Sequence, residues 1–217
     1  MSWNASPDAP DAAPAPERAT SAGDQDEELQ QFALALIASR QNVSPKRLGE
    51  PGPTPAQLEA MFRAAAAAPD HGELVPWRFV IVPREKRSLL AEVFAGALID
   101  RDAAATAEQV AAARAKAYRA PLLMLAVARL GPADPDIAPA ERLVSLGAAI
   151  QNLLLAAHAA GLGTGLTSGQ ALRSPRMHAL FGLAAGEEPV CFVNVGTVTK
   201  RKPARLRPDP KDFVREL

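Results

Sequence analysis

The segment Ala64–Val82 (AAAAAPDHGELVPWRFVIV) constrains the fold more than any other part of the chain, because it changes from helix to strand within a few residues. Its run of alanines ends at Pro69, which cannot continue a helix, and Asp70–Gly72 consists of turn-forming residues. A second proline and a tryptophan then precede the apolar run Phe79–Val82. We therefore predict a helix, a polar corner and a buried strand in direct succession, and we expect the chemistry to lie at the corner.

Composition limits what the chain can be. With 217 residues, 48% of them apolar, it can bury one sizeable core, which favours a single domain. The formal net charge is zero, so nothing indicates nucleic acid or an anionic membrane as a partner. The single cysteine, Cys191, lies in an apolar run and is predicted to be a buried structural thiol. No apolar run is long enough for a membrane span, and the N-terminus lacks the apolar core of a signal peptide, which predicts a cytoplasmic protein.

The order of elements predicts the fold class. Residues 1–25 are rich in Ala, Pro, Asp and Ser and are predicted to form a disordered tail, and residues 26–217 are predicted to form one domain. Apolar periodicity in that domain predicts strands that alternate with helices, which is typical of an α+β sandwich with few strands. The predicted helices are 27–40, 54–68, 84–100, 106–119, 139–160 and 174–181, and the predicted strands are 77–82, 120–128 and 189–195.

Three further segments are candidates for a binding site. Arg40-Gln41-Asn42 follows a helix, and a guanidinium can bind two phosphate oxygens at once. Arg205 and Arg207 belong to a basic stretch after the last strand. The glycine-rich segment Gly161–Gly169 follows a helix, whereas a Rossmann glycine motif follows a strand and opens a helix.

Each of these segments also has a simpler interpretation. Arg40 can be an ordinary cation at a helix C-terminus, and the glycines can be a helix cap followed by a tight connection. The basic stretch can be solvated, and His71 can be a simple turn residue. Trp77 can be a core aromatic residue at the start of a strand. Taken singly, no segment decides between the two interpretations.

Taken together and in order, these segments resemble the nitroreductase family of flavoproteins. Arg40-Gln41-Asn42 stands where the family has Arg-Arg-Ser, and the corner after Ala64 matches the pattern AP(S/D)x…PWxF. Gly161–Gly169 resembles the family's GxGxxWxxG stretch, with Leu166 where an aromatic residue is common. Arg205 and Arg207 match a late basic pair. The resemblance extends from about Leu29 to Val214.

The resemblance implies a mixed central sheet between helices, an obligate homodimer, and two flavin mononucleotide (FMN) molecules at the dimer interface. It implies transfer of hydride from NADH or NADPH to small nitroaromatic, quinone or related acceptors in a ping-pong cycle. No catalytic side chain and no metal are expected, since the cofactor carries the redox chemistry. The residues that the resemblance assigns to the cofactor are Arg40, Gln41, Asn42, Ala67, His71, Gly165, Leu166, Thr167, Ser168, Arg205 and Arg207.

Two alternatives remain open from the sequence. Gln41, Asn42 and Leu166 depart from the family pattern, which suggests a flavin-binding protein without turnover, such as a sensor or storage module. A family member with different flavin chemistry, such as dehalogenation or dehydrogenation, would share the same binding residues.

Overall fold

A computed structural model of the chain describes residues 22–131, 136–203 and 205–217. Short 3-10 helices, among them His71–Glu73, Ala115–Tyr118 and Gln170–Arg173, join several of the longer elements. The α-helices and strands of the described ranges, in chain order, are α1 (Ala22–Ser39), β1 (Leu48–Gly49), α2 (Pro55–Ala66), β2 (Trp77–Ile81), α3 (Arg87–Arg101), α4 (Ala107–Arg114), β3 (Leu122–Arg129), α5 (Pro139–Ala159), β4 (Gly163–Thr167), α6 (Pro175–Phe181) and β5 (Glu187–Val198).

The described residues divide into two compact units, the first consisting of residues 22–35 and the second beginning at residue 36. The first unit is helical and belongs to α1, which begins at Ala22 and not at the predicted residue 27. Asp24 lies in the first turn, where a negative charge favours the helix, so this residue of the predicted tail also suits a helix start. The rest of the predicted tail, residues 1–21, lies outside the described residues.

The second unit is built on a five-stranded sheet in which β5 has the most partners. β5 pairs with β1, β3 and β4, and β3 also pairs with β2. The predicted α+β class is confirmed. A mixed sheet was expected, but parallel pairing among the described residues is limited to one isolated bridge between Asn42 and Thr164. The four strand pairs themselves are antiparallel. β2 and β3 are connected by α3 and α4, which pack on each other. The chain therefore re-enters the sheet at the end where it left, and Ile81 at the end of β2 pairs with Met124 near the start of β3.

Helices cover both faces of this sheet. Successive side chains of β3 point to opposite sides, so the strand contributes to the core on each face. Met124 and Ala126 pack in a core with α2 and α5. Leu123 and Leu125 pack in a second core with α3 and α6. β3 is buried along nearly its whole length, as its uninterrupted apolar sequence predicted.

Local sequence signals placed several helix ends correctly. Thr54 caps α2 with a capping box that includes Gln57, and Pro55 occupies the first turn. Ser174 caps α6 through the main-chain N–H of Met177. The predicted helices 84–100 and 106–119 are each part 3-10 helix and part α-helix. β5 was predicted too short, because Gly196 does not end it. Neither β1 nor β4 was predicted as a strand, since residues 163–167 were expected to form a connection.

A partly buried ion pair links β2 to the start of β5. The guanidinium of Arg78 donates two hydrogen bonds of 2.8 Å to the Glu187 carboxylate, whose side chain is only 13% exposed. These bonds, with further contributions from the main-chain N–H of Ala184 and the charge of Arg129, lower the pKa of Glu187 to about 2 against the opposing effect of burial.

This lowered pKa predicts a specific loss of stability in acid. A carboxylate with a depressed pKa in the folded state stabilises the protein above its unfolded pKa, and that contribution is lost as the pH falls towards the folded value. We expect the free energy of unfolding to fall by roughly 3 kcal/mol through this group between about pH 5 and pH 2. In urea titrations, Glu187→Gln should be less stable near neutral pH and should have a flatter acid dependence. Glu59→Gln, which removes an exposed ion pair with Arg63, should change neither by more than about 0.5 kcal/mol. An unchanged acid limb in Glu187→Gln would contradict the assignment.

Candidate functional site

The segment that follows α1 lies along β4. The N–H of Val43 donates to the carbonyl oxygen of Thr164 at 2.7 Å, and the N–H of Leu166 donates to Asn42 Oδ1 at 2.8 Å. Gly165 lies between these two bonds, where a side chain would not fit, because a Cβ there would be 2.0 Å from the Val43 carbonyl oxygen. The predicted site segments Arg40–Asn42 and Gly161–Gly169 are therefore held side by side by these hydrogen bonds and by the close approach of their main chains.

A pair of arginines lies at the start of this segment. Arg207 donates from Nη2 to the carbonyl oxygen of Arg40 at 2.7 Å. Burial and the charge of Arg207 lower the pKa of Arg40, in that order of size. Neither guanidinium forms an ion pair with a carboxylate of the described residues, and Arg40 Nε is buried without a hydrogen-bond partner there. Two adjacent cations and an unsatisfied buried donor are the arrangement that an anion would complete.

A cavity of about 450 Å³ opens at the end of β4. Thr167 and Ser168 line it together with Pro45, so the cavity adjoins the segment that carries Arg40 and Asn42. Asn194, which is 2% exposed, donates from Nδ2 to the Gly165 carbonyl oxygen at 3.0 Å and to Thr167 Oγ1 at 3.1 Å. Asn194 thereby fixes the end of β4 against the cavity wall.

The corner after α2 forms a second region. Ala67 is the exposed C-cap residue that follows α2, and His71 Nδ1 lies 2.8 Å from Glu141 Oε2 in the first turn of α5. The hydrogen bond to His71 is the main cause of a lowered pKa at Glu141. Asp70 Oδ2 accepts the N–H of Val75 at 2.6 Å, and Asp70 lines a second cavity of about 300 Å³. Among the described residues, no hydrogen bond joins this corner to the arginine pair or to β4.

The structure therefore distributes the predicted site residues unequally. Arg40, Asn42, Gly165, Leu166 and Arg207 make the contacts given above, and Thr167 and Ser168 lie at the cavity. Gln41 is partly buried between Arg40 and Asn42. Ala67 and His71 lie at the separate corner, and Arg205 is exposed in the C-terminal segment.

Sequence reasoning missed several residues of this region. Asn194 is a lone amide inside the apolar run of β5, and that position is the signal that could have identified it. Arg101, Lys116 and Arg119 line the cavity, but in the sequence they look like ordinary surface cations. His158, to which no site was assigned, lies 2.8 Å from Ser39 Oγ and connects the end of α5 to the residue before Arg40.

Two expectations about reactive groups can be compared with the geometry. Cys191 is buried in the core, and burial raises the pKa of its thiol to about 11, as expected for a structural cysteine. Across the described ranges, no cluster of His, Cys, Asp and Glu has the arrangement of a metal site. In the same ranges no helix combines the length and apolar character needed to cross a membrane.

The fold is of the α+β class, and sequence comparison identifies the family. The family model described as "Nitroreductase family" matches residues 39–197. A protein of Haemophilus influenzae described as "Putative NAD(P)H nitroreductase" is 32% identical over 186 residues, which cover 85% of this chain and 99% of that protein. The chain belongs to the nitroreductase family.

Solved structures show the same fold. A nitroreductase-like family protein from Bacillus cereus superimposes with a TM-score of 0.73 at 19% identity, covering 85% of this chain and 95% of that one. Iodotyrosine deiodinase, solved with FMN and 3-iodo-L-tyrosine bound, superimposes with a TM-score of 0.62 at 21% identity, covering 84% of this chain and 97% of that one. At these identities the similarity establishes the shared fold.

Proposed function

We propose that the protein is an FMN-dependent oxidoreductase that takes hydride from NADH or NADPH and reduces small nitroaromatic, quinone or related acceptors in a ping-pong cycle. Membership of the nitroreductase family supports an oxidoreductase, and the FMN-bound fold neighbour supports the choice of flavin. The observation that carries the proposal is the Arg40–Arg207 pair, which lacks a carboxylate partner among the described residues and leaves Arg40 Nε unsatisfied.

The arginine pair fits the phosphate of FMN. A phosphate dianion would neutralise both guanidiniums and accept a hydrogen bond from Arg40 Nε. Gln41 replaces the second arginine of the family pattern and keeps hydrogen-bonding capacity without the charge. Arg205 lies two residues before Arg207 and adds positive charge to the same segment.

The end of β4 fits the border of a flavin ring. Gly165 permits the close main-chain approach, Asn42 holds the N–H of Leu166, and Asn194 holds the Thr167 hydroxyl at the cavity. Bound FMN supplies the redox chemistry by accepting a hydride from the nicotinamide and passing its electrons to the acceptor. The protein's residues hold and orient the reactants, so no side chain is assigned as an acid, a base or a nucleophile.

We also propose that the site is shared between two chains of a homodimer, with Ala67 and His71 bordering the flavin that the partner's arginine pair holds. The separation of the corner from the arginine pair supports this assignment. Leu143 and Val144 on α5 are 42% and 72% exposed, and adjacent exposed apolar side chains are typical of surfaces that another protein covers.

The phosphate assignment predicts a selective effect on flavin binding. Arg207→Ala and Arg40→Ala should each weaken binding of FMN by about 10- to 100-fold, because each removes a charge-assisted hydrogen bond to the phosphate. Neither should weaken binding of riboflavin, which lacks the phosphate. Calorimetric or fluorescence titration of the apo-protein with both flavins measures the difference, and Lys211→Ala is the control because Lys211 is an exposed cation in the same C-terminal segment.

A second measurement tests turnover. The purified protein should show flavin absorption bands that bleach on addition of NADH or NADPH and return on addition of a quinone or nitroaromatic compound. Flavin bands that do not respond to either nicotinamide would instead establish a binding protein without turnover.

Equal weakening of FMN binding and riboflavin binding by Arg207→Ala would contradict the phosphate assignment.

A further inference from the structure

The cavity at the end of β4 has an apolar floor. Phe94 and Leu98 of α3, Leu123 of β3 and Phe192 of β5 line it, and the rings of Phe94 and Phe192 meet edge to face with their centres 5.6 Å apart. A volume of about 450 Å³ lies within the range of pockets that hold small organic ligands. The floor therefore suits a planar, apolar ring.

Positive charge surrounds this floor. Arg101, Lys116 and Arg119 line the cavity, and no Asp or Glu is among its described lining residues. Within the described ranges, none of the three cations forms an ion pair with a carboxylate.

Two arginines on neighbouring helices behave differently. Arg114 of α4 makes two hydrogen bonds with Glu92, and Arg176 of α6 makes two with Asp100. Arg114 and Arg176 are thus neutralised by carboxylates, whereas the charge of the three cavity cations remains available to a ligand.

The position of the cavity connects it to the proposed reaction. Thr167 and Ser168 form part of its wall and are the residues assigned to the border of the flavin ring. A ligand that occupies the cavity would lie beside the flavin, where an electron acceptor must bind. This step rests on the proposed function.

We propose that the cavity selects organic acceptors that combine a planar ring with an anionic substituent such as a carboxylate. The ring packs on the apolar floor, and the anion binds Arg101, Lys116 and Arg119. For an aromatic nitro acid, the nitro group receives two electrons and two protons in total. The hydride of NAD(P)H supplies both electrons and one proton, and solvent supplies the second proton. It loses one oxygen as water and becomes a nitroso group, while NAD(P)H becomes NAD(P)⁺.

Two probes of almost the same shape test the proposal, 4-nitrobenzoate, which is an anion, and 4-nitrobenzamide, which is neutral. Calorimetry on the protein as purified, without NADH or NADPH, measures binding independently of turnover. We expect the anion to bind about 10-fold or more tightly, because hydrogen bonds to charged groups are the stronger class. Added salt should reduce the difference between the two probes.

Substitutions then locate the site. Arg101→Gln and Lys116→Gln should each remove most of the preference for the anion and leave binding of the amide unchanged. Arg114→Gln changes the net charge of the same surface equally but removes a cation that is already paired with Glu92, so it should keep the preference. A loss of preference in all three variants would show a general charge effect and would overturn the proposal.

Two further outcomes separate this proposal from the proposed function. Reduction of a neutral quinone without any preference for 4-nitrobenzoate would leave the function standing and overturn the inference. If the anion binds the apo-protein and added FMN abolishes this binding, the cavity belongs to the flavin ring, and the inference is also overturned. A protein that holds no flavin and oxidises no NADH or NADPH would refute the function, while calorimetry would still decide whether the cavity selects anions.

Discussion

Replacing Gly165 by alanine is expected to abolish FMN retention and to lower the melting temperature substantially. The added Cβ would lie 2.0 Å from the carbonyl oxygen of Val43 and 3.2 Å from its carbonyl carbon. Both are main-chain atoms, and Val43 is held in place by its own hydrogen bond to Thr164. The clash can therefore be relieved only by moving β4 away from residues 42 and 43.

Such a movement would separate the two halves of the proposed flavin border. The bond from Leu166 to Asn42 would break together with the bond from Val43 to Thr164. Overpacking of this kind costs about 3 kcal/mol, which corresponds to a fall of roughly 6–12 °C in melting temperature for a chain of this length. Differential scanning fluorimetry with and without added FMN measures both effects.

Gly131 provides the matched control, because a Cβ built there meets no described atom within 4 Å. Gly131→Ala should retain FMN and should melt within about 2 °C of the unmodified protein. Normal melting and full FMN content in Gly165→Ala would show that residues 42 and 43 do not approach β4 as described.

Replacing Arg87 by methionine is expected to cost about 3–5 kcal/mol of folding stability, although Arg87 touches no residue assigned to the cofactor. Arg87 is 3% exposed, and its guanidinium donates to four main-chain carbonyl oxygens, of Val82, Ala117, Ala120 and Pro121, at 2.7 to 3.3 Å. Burial, and secondarily the charge of Arg84, lower the pKa of Arg87.

The substitution would leave these carbonyl groups without their donor at the junction of β2, the 3-10 helix Ala115–Tyr118 and β3. Each unsatisfied buried polar group costs about 1–3 kcal/mol, and the terms are not fully additive. Arg87→Lys should recover only part of the loss, because one ammonium group cannot reproduce a planar fork that reaches four acceptors. Urea unfolding of both variants gives the comparison.

Arg84→Met serves as the control for loss of a nearby arginine. Its exposed ion pair with Glu50 is worth at most about 1 kcal/mol. Equal stability of the Arg84 and Arg87 variants would contradict the structural role assigned to the buried guanidinium.

How far sequence reasoning reached differs between elements. The starts of α2 and α6 were predictable, because Thr54 and Ser174 satisfy main-chain N–H groups only three residues away. β1 was not predictable, since its two residues are a strand only through their pairing with Val198 and Thr197 near the end of the chain. The same pairing carries β5 beyond Gly196, where the local sequence suggested an end.

The candidate site shows the same limit. The order of Arg40, the corner at His71, the glycine-rich segment and Arg207 predicted the family from sequence, because each is a short motif. The buried, unsatisfied state of Arg40 Nε, the role of Asn194 and the unneutralised cations of the cavity depend on atoms far apart in the chain. No local pattern reports such distances.

Sequence by itself therefore determined the α+β class, the apolar core strand β3, the capped helices and the family, all of which depend on neighbouring residues or on motif order. Tertiary structure alone decided the antiparallel pairing, the burial of Arg87 among carbonyls, the contact of Arg207 with Arg40 and the cavity with three cations. The physical reason is that the effect of a charge or a glycine on stability and binding depends on the atoms that pack against it. For Arg87 that means main-chain atoms up to 34 residues away, and for Arg207 it means a residue 167 positions earlier.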